Sequence, residues 1–402
     1  MRIAINTLGM KGKLHGVGNY IKNLVCALSK LDSHNQYFLF ASSENVRHLE
    51  GLGENFCIEL APNNRALRVV WEQTLLPLKL KQHKVDVYHG PAFAAPLLKT
   101  CPQVVSIHDM TVHLLPEQHS LHTRWYLRTL LPAMLRASDV VITVSESAKA
   151  DILKFEKLNG DKVCVIPLGV EERFQPIRDE CRLSMIRKKY GLERDFILFV
   201  GMIEPRKNLE NLVDAFLRDS LPQTCDLVLA GSLGWGYSQL LGKIGTANDK
   251  GSIRMLGYVD DTDLPALYNA ATAFVYPSFY EGFGLPILEA MACGTPVITS
   301  SVSSLPEVAG DAALLVDPAD AKALAFALRR IVKDSSLRQD LSRRGQQRSG
   351  LFTWQQSAEK TLAVYGRIAR ADTFNNDRDV LGNRSRNQTK VEGDLPVVPS
   401  SP

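Results

Sequence analysis

The segment PSFYEGFGLPILEAMACGTPVITS, residues 277–300, holds two carboxylates between turn-forming residues. Pro286 suits the first turn of a helix and Gly294 suits its end, which predicts a short helix between them. Glu281 then lies in a glycine-rich loop, and Glu289 lies about one turn into the helix. The two carboxylates therefore do not form a general acid/base pair on one helical face.

The backbone in front of this predicted helix could also bind a ligand. The N–H groups of residues 282–285 are expected at a helix N terminus, where they can donate to sugar hydroxyls or phosphate oxygens. The alternative is a surface Glu281 and an exposed helical Glu289. That alternative does not explain the spacing of the Gly, Phe and Pro residues around the two carboxylates.

A second segment, GMIEPRKN, places two cations beside a predicted strand end. The strand ends at Val200 and a helix begins near Asn208, so Arg206 and Lys207 fall in the loop between them. Ligands of open α/β sheets bind at the carboxyl ends of strands. A guanidinium fork next to a point charge suits a pyrophosphate, whereas an isolated Arg-Lys pair is usually solvated surface.

A third segment, GVGNY, carries Gly16 and Gly18 in the polar loop after the first predicted strand. Glycines let the backbone approach an anion, and a helix predicted from Asn19 onward would favour negative charge at its N terminus. The full dinucleotide fingerprint fails, because Ile21 stands where its third glycine should be. From these residues alone, two interpretations of the loop remain, an anion-binding site and a tight turn.

Short apolar strands alternate with helix-length amphipathic segments along the chain, which is typical of an α/β fold whose parallel sheets are covered on both faces. The series restarts once, so we predict two Rossmann-like doubly wound domains with a cleft between them. The predicted parts are an N-terminal acceptor domain over 1–175, a C-terminal donor domain over 176–352, a helix over 353–371 that crosses back to the N-terminal domain, and a disordered polar tail over 372–402.

The charge and the cysteine content bear on the partner and the compartment of the protein. A formal net charge of +4 over 402 residues is too small to argue for a nucleic acid partner. Residues 1–175 hold 20 Lys/Arg against 16 Asp/Glu and carry the whole excess. The seven cysteines are widely spaced, and the amino terminus lacks the apolar core of a signal peptide, so we expect a cytoplasmic protein.

Over most of its length, the chain resembles the retaining nucleotide-sugar glycosyltransferases of family 4 (group 1), whose fold is named GT-B. The most specific likeness is Glu281 and Glu289 with seven residues between them in EGFGLPILEAMACGTPVI. GMIEPRKN is similar to the family's diphosphate-binding loop, GVGNY to its glycine loop, and SIHD to its cleft strand end with a histidine. The resemblance implies an interdomain cleft that binds a nucleotide-diphosphate sugar.

The resemblance also implies a role for each of these residues. Arg206 and Lys207 would neutralise the donor diphosphate and stabilise it as the leaving group, and Glu289 would bind the ribose hydroxyls. Glu281 would face the transferred sugar near its reacting carbon, with His108 on the opposite wall. The donor would further be bordered by Gly16 and Gly18 at the diphosphate, by Gly257, Tyr258 and Val259 at the nucleobase, and by Phe283, Gly284 and Leu285 at the sugar and phosphate.

The reaction that this likeness favours is transfer of mannose from GDP-mannose to a glycan or lipid-linked glycan in lipopolysaccharide or other surface-polysaccharide assembly. No metal or cofactor is implied, because cations and helix N–H groups can stabilise a departing diphosphate. UDP-glucose, UDP-galactose and UDP-N-acetylglucosamine are alternative donors. An epimerase or phosphorylase of the same fold and a non-catalytic sugar-binding protein are alternatives of another class.

The family's N-terminal domain usually takes the acceptor, and here it carries the positive excess. Residues 118–138 hold Arg124, Arg128 and Arg136 without an acid, and residues 65–84 hold a similar basic cluster. Such segments could lie on the cytoplasmic face of an anionic bilayer and meet a lipid-pyrophosphate acceptor. A pair of solvated helices is an equal alternative.

Overall fold

The protein folds around two parallel β-sheets that follow each other along the chain. The computed structural model describes residues 1–10, 12, 14–218, 221–247 and 251–388. Helices connect most of the parallel strands, as the geometry of a parallel crossover requires. The predicted α/β fold with two Rossmann-like halves is confirmed.

The first sheet belongs to the N-terminal half. Its strands are β1 (Arg2–Asn6), β2 (Gln36–Ala41), β3 (Phe56–Leu60), β4 (Val87–Gly90), β5 (Gln103–Ile107), β6 (Val140–Thr143) and β7 (Val163–Val165). Among the described residues their order is β3-β2-β1-β4-β5-β6-β7. Central β1 pairs with both neighbours, and Ile3 stands opposite Tyr37 and Val87. All its residues after Arg2 are buried, because helices cover both faces of the sheet.

The helices of this half precede or follow these strands. They are α1 (Val17–Leu31), α2 (Arg65–Gln82), α3 (Thr111–Leu114), α4 (Leu121–Ala137) and α5 (Glu146–Glu156), with 3₁₀ turns at Val46–Leu49, Pro116–Gln118 and Gly160–Lys162. Helix α1 starts two residues before the predicted Asn19 and buries an apolar face that includes Ile21, Leu24 and Leu28. Burial of that face against the sheet holds the loop before α1 at the edge where the strands end.

The second sheet belongs to the C-terminal half. Its strands are β8 (Phe196–Val200), β9 (Asp226–Ala230), β10 (Ile253–Gly257), β11 (Ala273–Tyr276), β12 (Val297–Ser300) and β13 (Ala313–Val316). Their order within the described residues is β10-β9-β8-β11-β12-β13. The order reverses at β8, so the loops that follow β8 and β11 diverge from adjacent strand ends. That divergence opens a crevice at the carboxyl edge of the sheet.

Helices α6 to α14 connect or flank these strands. They are α6 (Glu180–Lys189), α7 (Leu209–Leu217), α8 (Leu221–Thr224), α9 (Ser238–Ala247), α10 (Leu264–Ala270), α11 (Leu285–Ala292), α12 (Leu305–Ala309), α13 (Ala321–Lys333) and α14 (Ser335–Ser349), with a 3₁₀ turn at Pro205–Lys207. Helix α11 is the helix predicted between Pro286 and Gly294. Pro286 lies in its first turn, and Gly294 follows its end with a φ of 80°.

The last helix, α15 (Trp354–Gln388), packs on α1 of the N-terminal half. Ser357 donates to the carbonyl of Pro167 at 2.6 Å. The helix continues past residue 371 into the segment predicted as a disordered tail, and residues 389–402 lie outside the described residues. No proline interrupts the chain before Gln388, and extending a formed helix costs far less than starting one. The limits of the two domains remain a prediction.

Apolar burial is extensive in both halves. Each sheet is packed with Val, Ile, Leu and Phe side chains that solvent does not reach, and the core of the second sheet is continuous with α1 and α15. In the described parts of the chain, no helix combines the length and the apolar character that crossing a membrane requires.

Candidate active site

A cavity of about 510 Å³ opens between the two halves at the carboxyl ends of their strands. One wall comes from the loop before α1 and the residues after β5, and the other from the loops after β8, β9, β10 and β11. Ligand sites of doubly wound α/β sheets lie at this edge. The predicted site residues that line the cavity are Gly16, His108, Arg206, Lys207, Tyr258, Val259, Glu281, Phe283, Gly284, Leu285 and Glu289.

Two predicted residues, Gly18 and Gly257, are not among the residues that line the cavity. Gly18 is in the first turn of α1, where a Cβ would stand 3.2 Å from the side chain of Leu14. Gly257 ends β10, and its carbonyl oxygen accepts a hydrogen bond from the N–H of Gly231 at 2.7 Å. Gly18 is therefore buried behind the wall of the cavity, whereas Gly257 is exposed outside the lining.

Gly16 stands at the N terminus of α1 in a backbone conformation that favours glycine. Its φ is 45°, which other residues adopt only with strain. The helix begins at the next residue, and Val17, Asn19 and Tyr20 line the cavity. The positive end of the helix dipole thus lies at the cavity wall, which favours an anion there.

Glu281 holds two cations in the cavity. Its Oε2 lies 2.7 Å from Nη1 of Arg206, and its Oε1 lies 2.6 Å from Nζ of Lys207. Lys207 also donates to the hydroxyl of Tyr276 at 2.7 Å. Lys207 and Glu281 are 74 positions apart in sequence. The pairing of β8 with β11 brings them together, because one residue follows each strand.

This contact changes the acidity of both partners. Burial alone raises the pKa of Glu281, but the charges of Lys207 and Arg206 outweigh it and lower that pKa to about 2. Burial lowers the pKa of Lys207, and the charge of Glu281 opposes that decrease. Glu281 is therefore ionised at neutral pH. It is held as a fixed negative charge and is not poised to donate a proton.

Glu204, which the sequence analysis did not single out, completes the charge cluster. Its Oε1 accepts from Nε and Nη2 of Arg206 at 3.1 and 2.6 Å. Two carboxylates thus balance two cations, so an anion that enters the cavity must share or displace these contacts. Glu204 belongs to the same GMIEPRKN loop, and the strand-end rule could have found it. The same rule applies to Asp109 after β5 and Ser232 after β9, which also line the cavity.

Glu289 lies at another end of the cavity, on α11. Its Oε2 accepts a hydrogen bond from the hydroxyl of Tyr268 at 2.8 Å. Burial raises the pKa of Glu289 to about 7, although the bond from Tyr268 opposes the increase. The carboxylate therefore changes charge near neutral pH.

His108 lies on the opposite wall of the cavity and is buried, with 8% of its surface exposed. Its Nε2 is 2.9 Å from the carbonyl oxygen of Pro91, which can only accept, so Nε2 carries a proton. Burial lowers the pKa of His108 and keeps the ring neutral. Nδ1 is therefore an acceptor, which suits a sugar hydroxyl and not a phosphate.

His89, the other strand-end histidine, does not line the cavity. It is fully buried, with Nδ1 2.6 Å from the hydroxyl of Tyr365 and Nε2 2.7 Å from Oγ of Ser106. Burial lowers its pKa to about 3. His89 is a structural residue that joins β4 and β5 to α15.

The two halves are joined beside the cavity by contacts at the N terminus of α5. Ser145 donates from Oγ to the carbonyl of Gly282 at 2.7 Å. The carboxylate of Glu307, on α12, accepts from the N–H of Glu146 at 3.0 Å. A Cβ on Gly282 would stand 2.1 Å from the carbonyl oxygen of His108. This position therefore needs glycine because the backbones of the two halves touch.

Within the described part of the chain, no three His, Cys, Asp or Glu side chains lie together in a group that could hold a metal ion. The charged groups that face the cavity centre are instead paired with one another, as Arg206 is with Glu204 and Glu281.

Two family descriptions match the chain. Residues 14–174 match "Glycosyltransferase Family 4", and residues 185–348 match "Glycosyl transferases group 1". Together the matches include both walls of the cavity.

Curated relatives extend this similarity. The chain is 33% identical over 380 residues to the O-antigen chain mannosyltransferase B of Escherichia coli, covering 91% of this chain and 99% of that protein. It is 31% identical over 251 residues to the MMP alpha-(1->4)-mannosyltransferase of Mycolicibacterium hassiacum, covering 60% and 57% of the two chains.

Solved structures share the fold at lower identity. The sucrose-phosphate synthase of Thermosynechococcus elongatus superposes with a TM-score of 0.74 at 23% identity, over 92% of this chain and 99% of that one. Anabaena HepE in complex with UDP and glucose superposes with a TM-score of 0.72 at 18% identity, over 92% and 100%. These two likenesses concern the arrangement of the two sheets.

The contact of Glu307 with the N terminus of α5 predicts that this carboxylate holds the two halves together around the cavity. Glu307→Gln removes a negative charge from a helix N terminus, so we expect a loss of about 1 kcal/mol from the closed arrangement. The radius of gyration measured by small-angle X-ray scattering should increase. Asp311→Asn, which changes an exposed acid on the same face of the C-terminal half, is the control and should leave it unchanged. An unaltered radius in Glu307→Gln would contradict the closing role.

Proposed function

The chain belongs to glycosyltransferase family 4, and from this premise we propose that it is a retaining mannosyltransferase that uses GDP-mannose to extend a surface glycan. The observation that carries the proposal is the buried cluster of Glu281, Arg206 and Lys207 in a cavity between two Rossmann-like halves. Two cations and a helix N terminus at one cavity are suited to a diphosphate.

The proposed chemistry follows from the charges that develop in the reaction. The bond between the anomeric carbon and the diphosphate oxygen breaks, which builds negative charge on the diphosphate. Arg206, Lys207 and the positive end of α1 stabilise that charge. The acceptor hydroxyl forms the new bond on the same face of the sugar, and its proton passes to the departing phosphate oxygen. Glu281, ionised and close to the sugar, stabilises the positive charge at the anomeric carbon.

The remaining predicted residues hold the donor in place. Glu289 accepts hydrogen bonds from the ribose hydroxyls. The neutral His108 accepts a hydrogen bond from a sugar hydroxyl at Nδ1. Tyr258 and Val259 border the nucleobase. The backbone of Phe283 to Leu285, at the start of α11, holds the sugar and phosphate. No group in this scheme requires a metal ion or a cofactor.

The choice of mannose rests on relatives whose names state a mannosyltransferase activity, one of which matches nearly the whole chain. The name of that relative likewise favours an O-antigen type of glycan as the acceptor. UDP-glucose, UDP-galactose and UDP-N-acetylglucosamine remain the alternative donors. The epimerase alternative differs in one respect that is simple to measure, because it needs no acceptor.

This function can be tested by measuring transfer to a mannose-terminated acceptor from each of a panel of nucleotide sugars. We expect transfer from GDP-mannose, an α-linked product, and little transfer from the UDP-sugars. Lys207→Ala and Glu281→Ala should each lower kcat by about a hundredfold or more, because each removes charge stabilisation in a buried site. Lys243→Ala, which breaks a surface ion pair with Asp214, is the matched control and should keep full activity.

Three results would contradict the proposal. Transfer from a UDP-sugar and not from GDP-mannose would show that the UDP-sugar is the donor. Isomerisation of the donor without an acceptor would favour the epimerase. Near-normal turnover in both Lys207→Ala and Glu281→Ala, with an unchanged circular dichroism spectrum, would show that these residues do not form the active site.

The raised pKa of Glu289 predicts a pH dependence of donor binding. Only the ionised carboxylate accepts from both ribose hydroxyls, and its pKa in the free enzyme is about 7. As the pH falls from about 8 to about 6, the protonated fraction rises and the donor KM should increase about tenfold. Glu289→Gln should weaken donor binding at the higher pH and make the KM nearly independent of pH. A wild-type KM that does not change over this interval would contradict the role of Glu289.

We further propose that the N-terminal half contacts an anionic membrane, where a lipid-linked acceptor resides. Helix α4 exposes Leu121 and Trp125, with 76% and 68% of their surfaces accessible, next to the exposed Arg128. Helix α2 exposes a further apolar stripe of Leu67, Val70, Leu75 and Leu78. Apolar side chains beside cations are typical of a surface that lies in a bilayer interface. The basic residues of α2 contribute less, because Arg68 and Lys79 pair with Glu72 and Glu59.

Charge reversal of Arg124, Arg128 and Arg136 tests this contact. Each cation near an anionic surface contributes about 1 kcal/mol, so affinity for phosphatidylglycerol vesicles should fall by about a hundredfold. Transfer to a soluble acceptor should be unchanged. The matched control reverses three exposed cations of the C-terminal half, namely Lys322, Lys333 and Arg343. Equal vesicle binding by all of these proteins would contradict the proposed contact.

A further inference from the structure

A second cavity, of about 250 Å³, lies beside the first in the C-terminal half. It is formed by the 3₁₀ turn and start of α7, by the loop that leads from β9 to α9, and by Phe279 in the loop after β11. Glu204 lines both cavities. The second cavity is therefore a neighbour of the charge cluster around Arg206 and has no part in the roles described above.

The lining of the second cavity indicates the chemistry of its ligand. Two aromatic side chains, Tyr237 and Phe279, face it together with the carboxylates of Glu204 and Glu210 and the amide of Asn211. None of its lining residues is Lys, Arg or His. The carboxylate of Glu204 is paired with Arg206, so repulsion of a phosphate or other anion comes from the carboxylate of Glu210. Carboxylates that accept hydroxyl protons and aromatic faces that cover C–H groups suit a neutral, hydroxyl-rich ligand such as a sugar unit.

The backbone around this cavity is fixed and connected to the catalytic loop. The N–H of Ile203 donates to the carbonyl of Ser232, and the N–H of Gly234 donates back to Ile203, both at 2.9 Å. The N–H of Phe279 donates to the carbonyl of Arg206, also at 2.9 Å. Because these bonds join the loops after β8, β9 and β11, the cavity is formed before a ligand arrives. It stands at a set position relative to Arg206.

We propose that the second cavity binds a sugar unit of the acceptor glycan, one that lies before the unit whose hydroxyl receives the transferred sugar. The inference rests on the proposed glycan acceptor. A chain whose end reaches the first cavity would pass Glu204 and place an inner sugar against Tyr237 and Phe279. The volume suits a single sugar unit, because pockets for larger ligands begin at roughly 300 Å³. The cavity would thus let the enzyme prefer an acceptor that already carries several sugars.

The test compares acceptors of increasing length, from methyl α-mannoside to a linear α-mannotetraose, in wild type, Tyr237→Ala and Glu210→Gln. Wild type should show a falling acceptor KM as the chain lengthens. In both variants the KM for the longest acceptor should rise about tenfold, which is the loss expected from one aromatic or hydrogen-bonded contact. The donor KM, and kcat/KM for methyl α-mannoside, should stay unchanged. Phe326→Ala, which removes an exposed aromatic residue far from the cavity, is the matched control and should behave as wild type.

Binding of mannotetraose without donor separates this inference from the proposed function. If the oligosaccharide binds to wild type and not to Tyr237→Ala, the second cavity is a sugar site even should transfer from GDP-mannose fail. If transfer succeeds while both variants keep the wild-type dependence on acceptor length, the inference is overturned and the proposed function stands. A raised KM for methyl α-mannoside in the variants would equally overturn it, because the effect would then arise at the reaction centre.

Discussion

The buried contact of Glu281 with Arg206 and Lys207 is the interaction on which the organisation of this protein depends. An ionised group inside a protein is costly unless it is paired and hydrogen-bonded. Lys207 and Glu281 are 6% and 8% exposed, so each depends on the other to remain charged. The pair can form only where β8 and β11 are neighbours, which is the strand order of the second sheet. The charge cluster therefore requires this strand order.

The cluster also explains how the proposed binding site for a diphosphate can be stable before a ligand arrives. Glu204 and Glu281 neutralise the two cations, so no net charge is left buried in the empty cavity. An arriving diphosphate can replace part of these contacts, while the helix N terminus of α1 supplies a further favourable field. Carboxylates that hold cations in position for an anion reduce the reorganisation needed when charge develops in the reaction.

The two halves contribute differently to this site. The C-terminal half supplies the charges, and the N-terminal half supplies a neutral histidine, a helix N terminus and a surface on which an acceptor can lie. Contacts of Ser145 with Gly282 and of Glu146 with Glu307 hold the halves together at the cavity mouth. In the proposed function, the second cavity, beside Glu204, would extend the same site in the direction of a longer glycan. In a GT-B fold, such an arrangement lets one scaffold bind a small donor and a large acceptor from different sides.

The sequence by itself determined the fold class and the family, and it identified eleven of the residues that line the cavity. The apolar strands alternate with amphipathic helices, and this pattern is local, so it could be read without coordinates. Glu281, Arg206 and Lys207 could be found because each follows a strand. Their mutual contact could not be found, since a rule about strand ends gives no strand order.

Only the tertiary structure decided the outcomes that depend on distant neighbours. Gly18 lies behind the lining because Leu14 packs against it, whereas Gly257 is exposed outside the lining. His89 lies within β4 and His108 directly follows β5, and Tyr365, 276 positions from His89, buries the first while the cavity reaches the second. Glu204 and the second cavity arise from loops that meet at adjacent strand ends. Burial and charge pairing are properties of that assembled neighbourhood, which no single stretch of sequence contains.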